Sequence, residues 1–456
     1  MKVREVNLLK EIESLGYEAY IVGGAVRDLL MGSESSDIDI ATNCPMETLE
    51  ANFRTHNVGT SKQHGTLVVL YEGDVFEVTQ FRKDGDYSDG RHPDSIETTS
   101  DFREDAKRRD FTINALGMTH EGEVIDHVNG MVDIKDRIVR CVGDPNERFA
   151  EDHLRMVRAA RFASLNGFVL DKHTRIAARK HHKKINTVSR YRLVGEIKKA
   201  ADGRTGGQFV RFLLHLDEMK LLSQLMPELV ALKFFRHDLQ HHPEGPTVFD
   251  HCIKCVEILG ADTDYVTKMA VLLHDVGKAI SFQDNKYGWK LTYHGHGKAG
   301  VPIVENMLAR LGFSNHAIEA AAFATEHHMK FHHILEMKPS KIHRLVSNPH
   351  YKVLEVVAWA DEFSRGETFM YRGEFKKKME KIKDLCTRWE ARDIPQQHNK
   401  IVDGNHVMRL TGMKPGPQLG QVIKKAEARI LDEDVDPNGA KADELIMEIY
   451  HEVEDR

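Results

Sequence analysis

A chain of 456 residues with 64 Lys and Arg against 70 Asp and Glu has a formal net charge of -6. That balance excludes a globally basic nucleic-acid coat protein, so any polyanion must be met by a local patch. The length predicts roughly two to four domains, each with enough chain for its own core. Five scattered cysteines argue against a disulfide framework, and no run approaches the roughly 20 apolar residues that cross a bilayer. The opening MKVREVNLLKEIES interleaves acids with its apolar positions instead of forming an h-region, so a cytoplasmic, soluble protein is expected.

Val3 to Leu15 carries apolar residues at helical spacing and stops at Gly16. Tyr20-Ile21-Val22 then runs as a strand into Gly23-Gly24, whose missing side chains let backbone amides approach a phosphate. Ala25 to Leu30 continues as a helix with Arg27 on its first turn. After a Ser-rich turn comes Asp37-Ile38-Asp39-Ile40, where period-2 alternation points both carboxylates to one face. Two such carboxylates repel, and a hard cation such as Mg²⁺ neutralises them. Pro45 to Phe53 reads as a helix, and Gly65 to Tyr71 and Val75 to Phe81 read as strands, giving a mixed sheet with packed helices. Lys83 to Glu97 is polar and rich in Gly, Asp and Pro, the composition of a mobile loop.

Arg108, Arg109 and Asp110 crowd together before an apolar turn. Glu151 to Ala163 is predicted as one helix, with Asp152, Arg155, Arg158 and Arg161 on a polar stripe and Leu154, Val157 and Phe162 toward a core. Asp152 and Arg155 suit an i,i+3 surface salt bridge. The alternative is a protein template for a base, because a carboxylate accepts from the exocyclic amine of C or A and repels the carbonyl of G or U. Arg175 to Lys199 holds nine Lys or Arg and one acid, Glu196, a basic stripe able to hold an RNA backbone without reading its sequence. Few aromatics interleave with it, which favours docking a folded RNA by shape.

Downstream, His251, the pair His274-Asp275, His294, His296, His327-His328 and Asp361 spread over separate helical stretches. Imidazole with carboxylate suits a divalent metal that activates water against a phosphoester. Cys252 and Cys255 form a single CxxC in a helical pattern and are expected to be buried helix residues. Lys376 to Arg392 and Gln418 to Leu431 are predicted amphipathic helices.

GGAVRD followed by DIDIAT resembles the polymerase-beta-like nucleotidyltransferase signature, in the branch of class II tRNA nucleotidyltransferases and bacterial poly(A) polymerases. The resemblance implies catalytic, Mg²⁺-binding roles for Asp37 and Asp39, with Gly24 and Arg27 anchoring phosphates. RRDFTINA is similar to a further motif of the family, which implies nucleotide contact by Arg109. EDHLR is similar to its EDxxR motif, which implies base selection by Asp152 and Arg155, with Arg158 and Arg161 as further nucleotide contacts. FRKDGDYSDGRHPD looks like the loop used in switching from CTP to ATP. The downstream order H, HD, D resembles the HD phosphohydrolases and implies His251, His274, Asp275 and Asp361 as ligands of a second divalent metal, with His296 and His327 as further candidates.

The implied fold is α+β, a polymerase-beta-like head of mixed sheet and helices followed by an all-helical neck, HD domain and tail. The implied domains are a head over 1–145, a neck or RNA-binding region over 146–238, an HD domain over 239–365 and a tail over 366–456. The implied activity is Mg-dependent addition of CCA to tRNA from CTP and ATP, without a nucleic-acid template. Neither a membrane nor DNA is an expected partner, and the HD domain would act as a cyclic phosphodiesterase or phosphatase. A poly(A) polymerase, a CC-adding enzyme and an HD phosphohydrolase with an RNA-binding head are the alternatives.

Overall fold

The structure, a computed structural model, describes residues 3–33, 38–56, 65–85, 87, 90, 95–165, 167–236, 245–281, 293–365, 369–394 and 400–454. Two compact units emerge, one of residues 1–204 with 208–227 and one of residues 205–207 with 228–456.

In the first unit α1 (Val3–Ser14) leads into β1 (Ala19–Val22), α2 (Gly24–Leu30), β2 (Asp39–Thr42), α3 (Met46–Asn52), β3 (Arg54–His56), β4 (Thr66–Tyr71) and β5 (Asp74–Gln80). After β6 (Arg82–Asp84), β7 (Ile96–Thr98) and α4 (Phe102–Lys107) come β8 (Gly117–Met118) and β9 (Val124–Ile125), which complete a seven-stranded sheet of order β3-β4-β5-β2-β1-β8-β9. β2 and β5 run parallel, while β1 is antiparallel to β2 and β8. Alternation does the sorting: Ile21 and Ile40 join Leu8, Leu9, Val26 and Leu49 in one core, while Val22 and Ala41 pack with Phe81 and Phe102 on the other face. The expected mixed sheet with covering helices is what forms.

The helical continuation runs through α5 (Gly130–Asp136), β10 (Ile138–Val139), α6 (Pro145–Glu151), α7 (Arg155–Ser164), β11 (Val169–Leu170), α8 (Lys172–His181) and α9 (Arg190–Ala201). The single helix expected over 151–163 is in fact two. α6 ends at Glu151, Asp152 is extended (φ -144°, ψ 105°), and α7 starts at Arg155. Asp152 stabilises that break by accepting from the Leu154 amide at 3.1 Å, a local side-chain bond that competes with helix. The ends of the expected 83–97 loop are not irregular either, since β6 and β7 pair as an antiparallel ribbon. Residues 86, 88–89 and 91–94 between them lie outside the described residues, as does Asp37.

Helices α10 (Gly206–Glu218), α11 (Leu222–Leu225) and α12 (Pro227–Ala231) follow. The second unit contains α13 (Val248–Glu257), α14 (Tyr265–Leu273), α15 (His296–Leu311), α16 (Asn315–His332), α17 (Pro339–Val346), α18 (Tyr351–Phe363) and α19 (Phe369–Glu390). Its last helices, α20 (Gly404–Thr411), α21 (Pro417–Asp432) and α22 (Ala440–Glu454), enclose their own core of Val407, Val422, Ile430, Leu445 and Ile446. Cys252 and Cys255 are buried on α13 as free thiols, as their helical setting predicts. Among the described residues no helix is long and apolar enough to cross a membrane.

Candidate active sites

The β1-α2 turn opens the first site. Gly23 has φ 74°, a conformation that favours glycine, and a Cβ there would sit 3.6 Å from Arg109 Nη1 and 3.8 Å from Asp39 Oδ2. Asp39 is exposed at the first position of β2, opposite Val22 on β1 and in register with Glu77 on β5. In a parallel pair residues in register share a face, so the exposed Glu77 stands beside Asp39. Glu77 carries no local sequence signal, because only strand register brings it there. A cleft of about 920 Å³ extends from this turn, lined by nine basic and five acidic side chains, a balance that suits a polyphosphate.

Buried carboxylates hold most of the cleft's arginines. Asp105, fully buried on α4, accepts from Arg108 Nε at 2.9 Å and from Arg109 Nη2 at 2.9 Å. Burial alone would raise its pKa, but Arg109 and Arg108 hold the carboxyl below its ordinary range. The spacing of Asp105 three and four residues before those arginines was the available signal. Arg27 donates from Nη1 to Asn114 Oδ1 at 2.6 Å, and Arg158 donates to Asp110 Oδ2 at 2.8 and 2.7 Å. Burial opposes the charge on Asp110, and Arg158 more than offsets it, leaving the pKa lowered. Arg161 reaches Glu196 at 2.6 Å. Phe162 is not simply a core residue: Arg161, Arg27 and Arg158 pack over its ring at 4.1, 5.0 and 5.3 Å, which eases the crowding of three like charges.

The i,i+3 salt bridge between Asp152 and Arg155 is not made. Arg155 donates to Glu151 at 2.5 Å and to the carbonyls of Arg148 and Arg108, whereas Asp152 receives Arg192 at 3.1 and 2.6 Å. Arg192 lies forty residues from Asp152, a separation with no sequence signature. Both Asp152 and Arg155 still line the cleft, along with Gly24, Arg27, Arg109, Arg158 and Arg161. We expect Asp105→Asn to cost about 3 kcal/mol of stability in urea titrations, because it leaves two partly buried guanidinium groups without their anion. If Arg109 contacts nucleotide as the motif resemblance implies, the same variant should raise the KM for nucleotide, since Arg109 loses its support.

The second site lies around Asp275, which directly follows His274 at the end of α14. Its Oδ2 is 3.6 Å from His251 Nε2 and 3.5 Å from His274 Nε2, and its Oδ1 is 3.1 Å from His296 Nε2 and 3.6 Å from His328 Nε2. Asp361 approaches His251 at 3.3 Å. Nδ1 of His274, His296 and His328 each faces a backbone carbonyl three residues earlier, at 2.7, 2.7 and 2.8 Å, which turns each Nε2 inward. Burial pushes His274 down to about 3, so it is a neutral imidazole, and its buried Nε2 has no hydrogen-bond partner. Burial disfavours the Asp275 carboxylate, yet the Lys278 ammonium and hydrogen bonds from His296 and His328 hold it ionised. The neutral His274 imidazole beside the ionised Asp275 and Asp361 carboxylates is the start of a donor set fit for divalent metal.

Asp275, His296 and His328 form one group of candidate ligands, and His251, His274 and Cys255 another. The four expected ligands His251, His274, Asp275 and Asp361 do converge, and His296 joins them. His328 takes the place proposed for His327, whose ring packs on Phe323 with centroids 4.6 Å apart. Two histidines in a row on a helix point about 100° apart, so only one faces the site. Gly277 lets this corner close: a Cβ there would fall 2.0 Å from the His296 carbonyl oxygen.

Residues 19–140 match the Poly A polymerase head domain family, 167–232 the probable RNA and SrmB-binding site of polymerase A, and 248–366 the HD domain. The CCA-adding enzyme of Bacillus licheniformis is 44% identical over 256 residues, 55% of this chain and 64% of that protein. That of Bacillus subtilis is 42% identical over 245 residues, 54% of this chain and 59% of that protein. The chain thus spans between about half and two thirds of the length of the curated relatives it matches. Over full length it is similar to the Bacillus stearothermophilus CCA-adding enzyme in complex with CTP, with a TM-score of 0.73, 25% identity and 100% of both chains covered. The Thermotoga maritima CCA-adding enzyme complexed with tRNA shares the fold, with a TM-score of 0.58 and 17% identity over 99% of this chain and 96% of that one. By its head, its RNA-binding segment and its HD domain together, the chain is similar to the CCA-adding enzymes, and each of those three segments matches its own domain family.

Proposed function

We propose that this chain adds CCA to the 3′ end of tRNA from CTP and ATP, in the cytoplasm, with protein side chains in place of a nucleic-acid template. The observation that carries the reading is the joining, in one basic cleft, of Asp39 beside the Gly23-Gly24 turn with the Asp152-Arg192 pair. Asp37, Asp39 and Glu77 would hold Mg²⁺, which when bound would supply Lewis acidity toward the triphosphate and the RNA 3′-hydroxyl. Gly24 leaves room for the triphosphate, and Arg27 and Arg109 bind its oxygens and stabilise charge moving onto the pyrophosphate. Asp152 selects the base. Its Oδ1 takes both Arg192 and the Leu154 amide, whereas Oδ2 takes Arg192 alone and has a lone pair left to accept from the exocyclic amine shared by C and A. Arg155, fixed by three acceptors, borders the same base, and Arg158 and Arg161 complete the wall.

Incubating the protein with Mg²⁺ and a tRNA lacking its CCA, with CTP, with ATP and with both, is expected to give C, C and then a single A at single-nucleotide resolution. A long A ladder from ATP alone would make it a poly(A) polymerase, and arrest after two C a CC-adding enzyme. Asp152→Ala is expected to incorporate UTP and GTP at rates within about tenfold of CTP, since the lost hydrogen bond is the source of discrimination.

The HD site we assign to phosphoester hydrolysis, with His251, His274, Asp275 and Asp361 as metal ligands and His296 and His328 forming a second lobe around Asp275. A divalent metal held by these residues would supply an activated water for attack on phosphorus. Lys298 and Arg365 line the adjoining cavity of about 590 Å³ and offer positive charge to a phosphate. That volume admits a mononucleotide-sized group, so small phosphomonoesters or cyclic phosphates are the substrates we assign.

A further inference from the structure

We infer that the ridge formed by Tyr191, Gly195 and Lys199 on α9 seats the single-stranded 3′ end of the RNA acceptor, an inference that rests on the nucleotidyl-transfer reading above. Residues four apart stack along one side of a helix, so these three make a continuous strip about 12 Å long. Tyr191 is 86% exposed at one end, and Lys199 lines the nucleotide cleft at the other.

Gly195 between them is the informative residue. Glycine inside a helix is disfavoured relative to alanine, so it calls for a reason. At Gly277 the reason is internal, because a Cβ would strike backbone, but at Gly195 a Cβ would meet no heavy atom within 4 Å. The chain itself does not require glycine there. Close approach of another molecule's backbone to the helix does, and the position fits: Arg192, one turn before, grips Asp152, and Lys198 and Lys199, one turn after, border the cleft.

Charge identifies the visitor. The one acid within α9, Glu196, is buried and paired with Arg161, so the charge along the ridge comes from the exposed Lys199 and the partly exposed Lys198, with Arg190 exposed at the helix start. Such a surface suits a phosphodiester strand, and an exposed tyrosine suits stacking by an unpaired base. The strand therefore lies with its terminal nucleotide at the Lys199 end, its sugar-phosphate backbone over Gly195 and an upstream base on Tyr191. This adds to the basic stripe a seat for unpaired nucleotides that its composition alone does not suggest.

The test is fluorescence anisotropy with two labelled RNA hairpins, one blunt and one carrying a short 3′ single strand. Gly195→Leu and Tyr191→Ala are each expected to weaken binding of the overhang hairpin about tenfold while leaving the blunt hairpin unchanged. Gly195→Ala should raise the Tm while weakening the overhang complex, which separates a binding effect from misfolding. Wild-type affinity of Gly195→Leu and Tyr191→Ala for the overhang, or equal losses for both hairpins, would overturn the ridge while leaving the transfer reading in place. A wild-type protein that neither binds nor extends the overhang hairpin would overturn both.

Discussion

Asp39→Asn is expected to lower nucleotidyl transfer on the order of 10³-fold or more while leaving the Kd for tRNA within about twofold. The substitution keeps size and shape and removes only charge. Asp39 sits at the exposed start of β2, so asparagine there neither opens a cavity nor breaks a strand pairing. Its carboxylate faces the same space as Gly23 and Arg109, next to the turn that receives the triphosphate in our reading. In our reading RNA binding draws instead on the basic surface of α8 and α9, which the variant does not touch. Paired measurements of single-nucleotide extension rate and tRNA affinity check both halves. An Asp39→Asn protein with more than about a tenth of the wild-type rate would remove the carboxylate from the chemistry, because general electrostatic effects of one charge in a solvated cleft are of that size. Glu77→Gln, in register on β5, is expected to show a smaller loss in the same assay.

What could be read in the sequence was local. The strand, Gly-Gly turn and helix from Tyr20 to Leu30 announce themselves because alternation, glycine and helical spacing act over a few residues. His274-Asp275 stood out because an adjacent pair inside an apolar run has few structural uses. What could not be read depends on register and long separations. Glu77 meets Asp39 only because β2 and β5 run parallel, and Arg192 meets Asp152 only because α9 folds back. The break at Asp152 hid for a related reason. EDHLRMVRAARFA has helical periodicity throughout, yet Asp152 uses its side chain on a nearby backbone amide and ends the first helix. His328 was passed over for His327 because the sequence places both on one helix and does not fix its rotation.

Asp275→Asn is expected to abolish phosphohydrolase activity, a loss on the order of 10³-fold, and to lower bound divalent metal, while CCA addition stays at the wild-type rate. Asp275 stands at the centre of its site: one oxygen faces His251 and His274, the other His296 and His328. An amide can offer one neutral oxygen but cannot serve both lobes with charge, so metal should fall together with activity. The transfer cleft is built from residues of the first compact unit and the HD site from residues of the second, which is why the two activities should separate. Metal content measured alongside hydrolysis of a nucleoside 2′,3′-cyclic phosphate checks the assignment. His328→Ala refines it, since it should lose part of the bound metal where His327→Ala loses none. Full metal content and hydrolysis in Asp275→Asn would place both the metal and the hydrolysis away from Asp275, leaving the buried cluster as a satisfied core network.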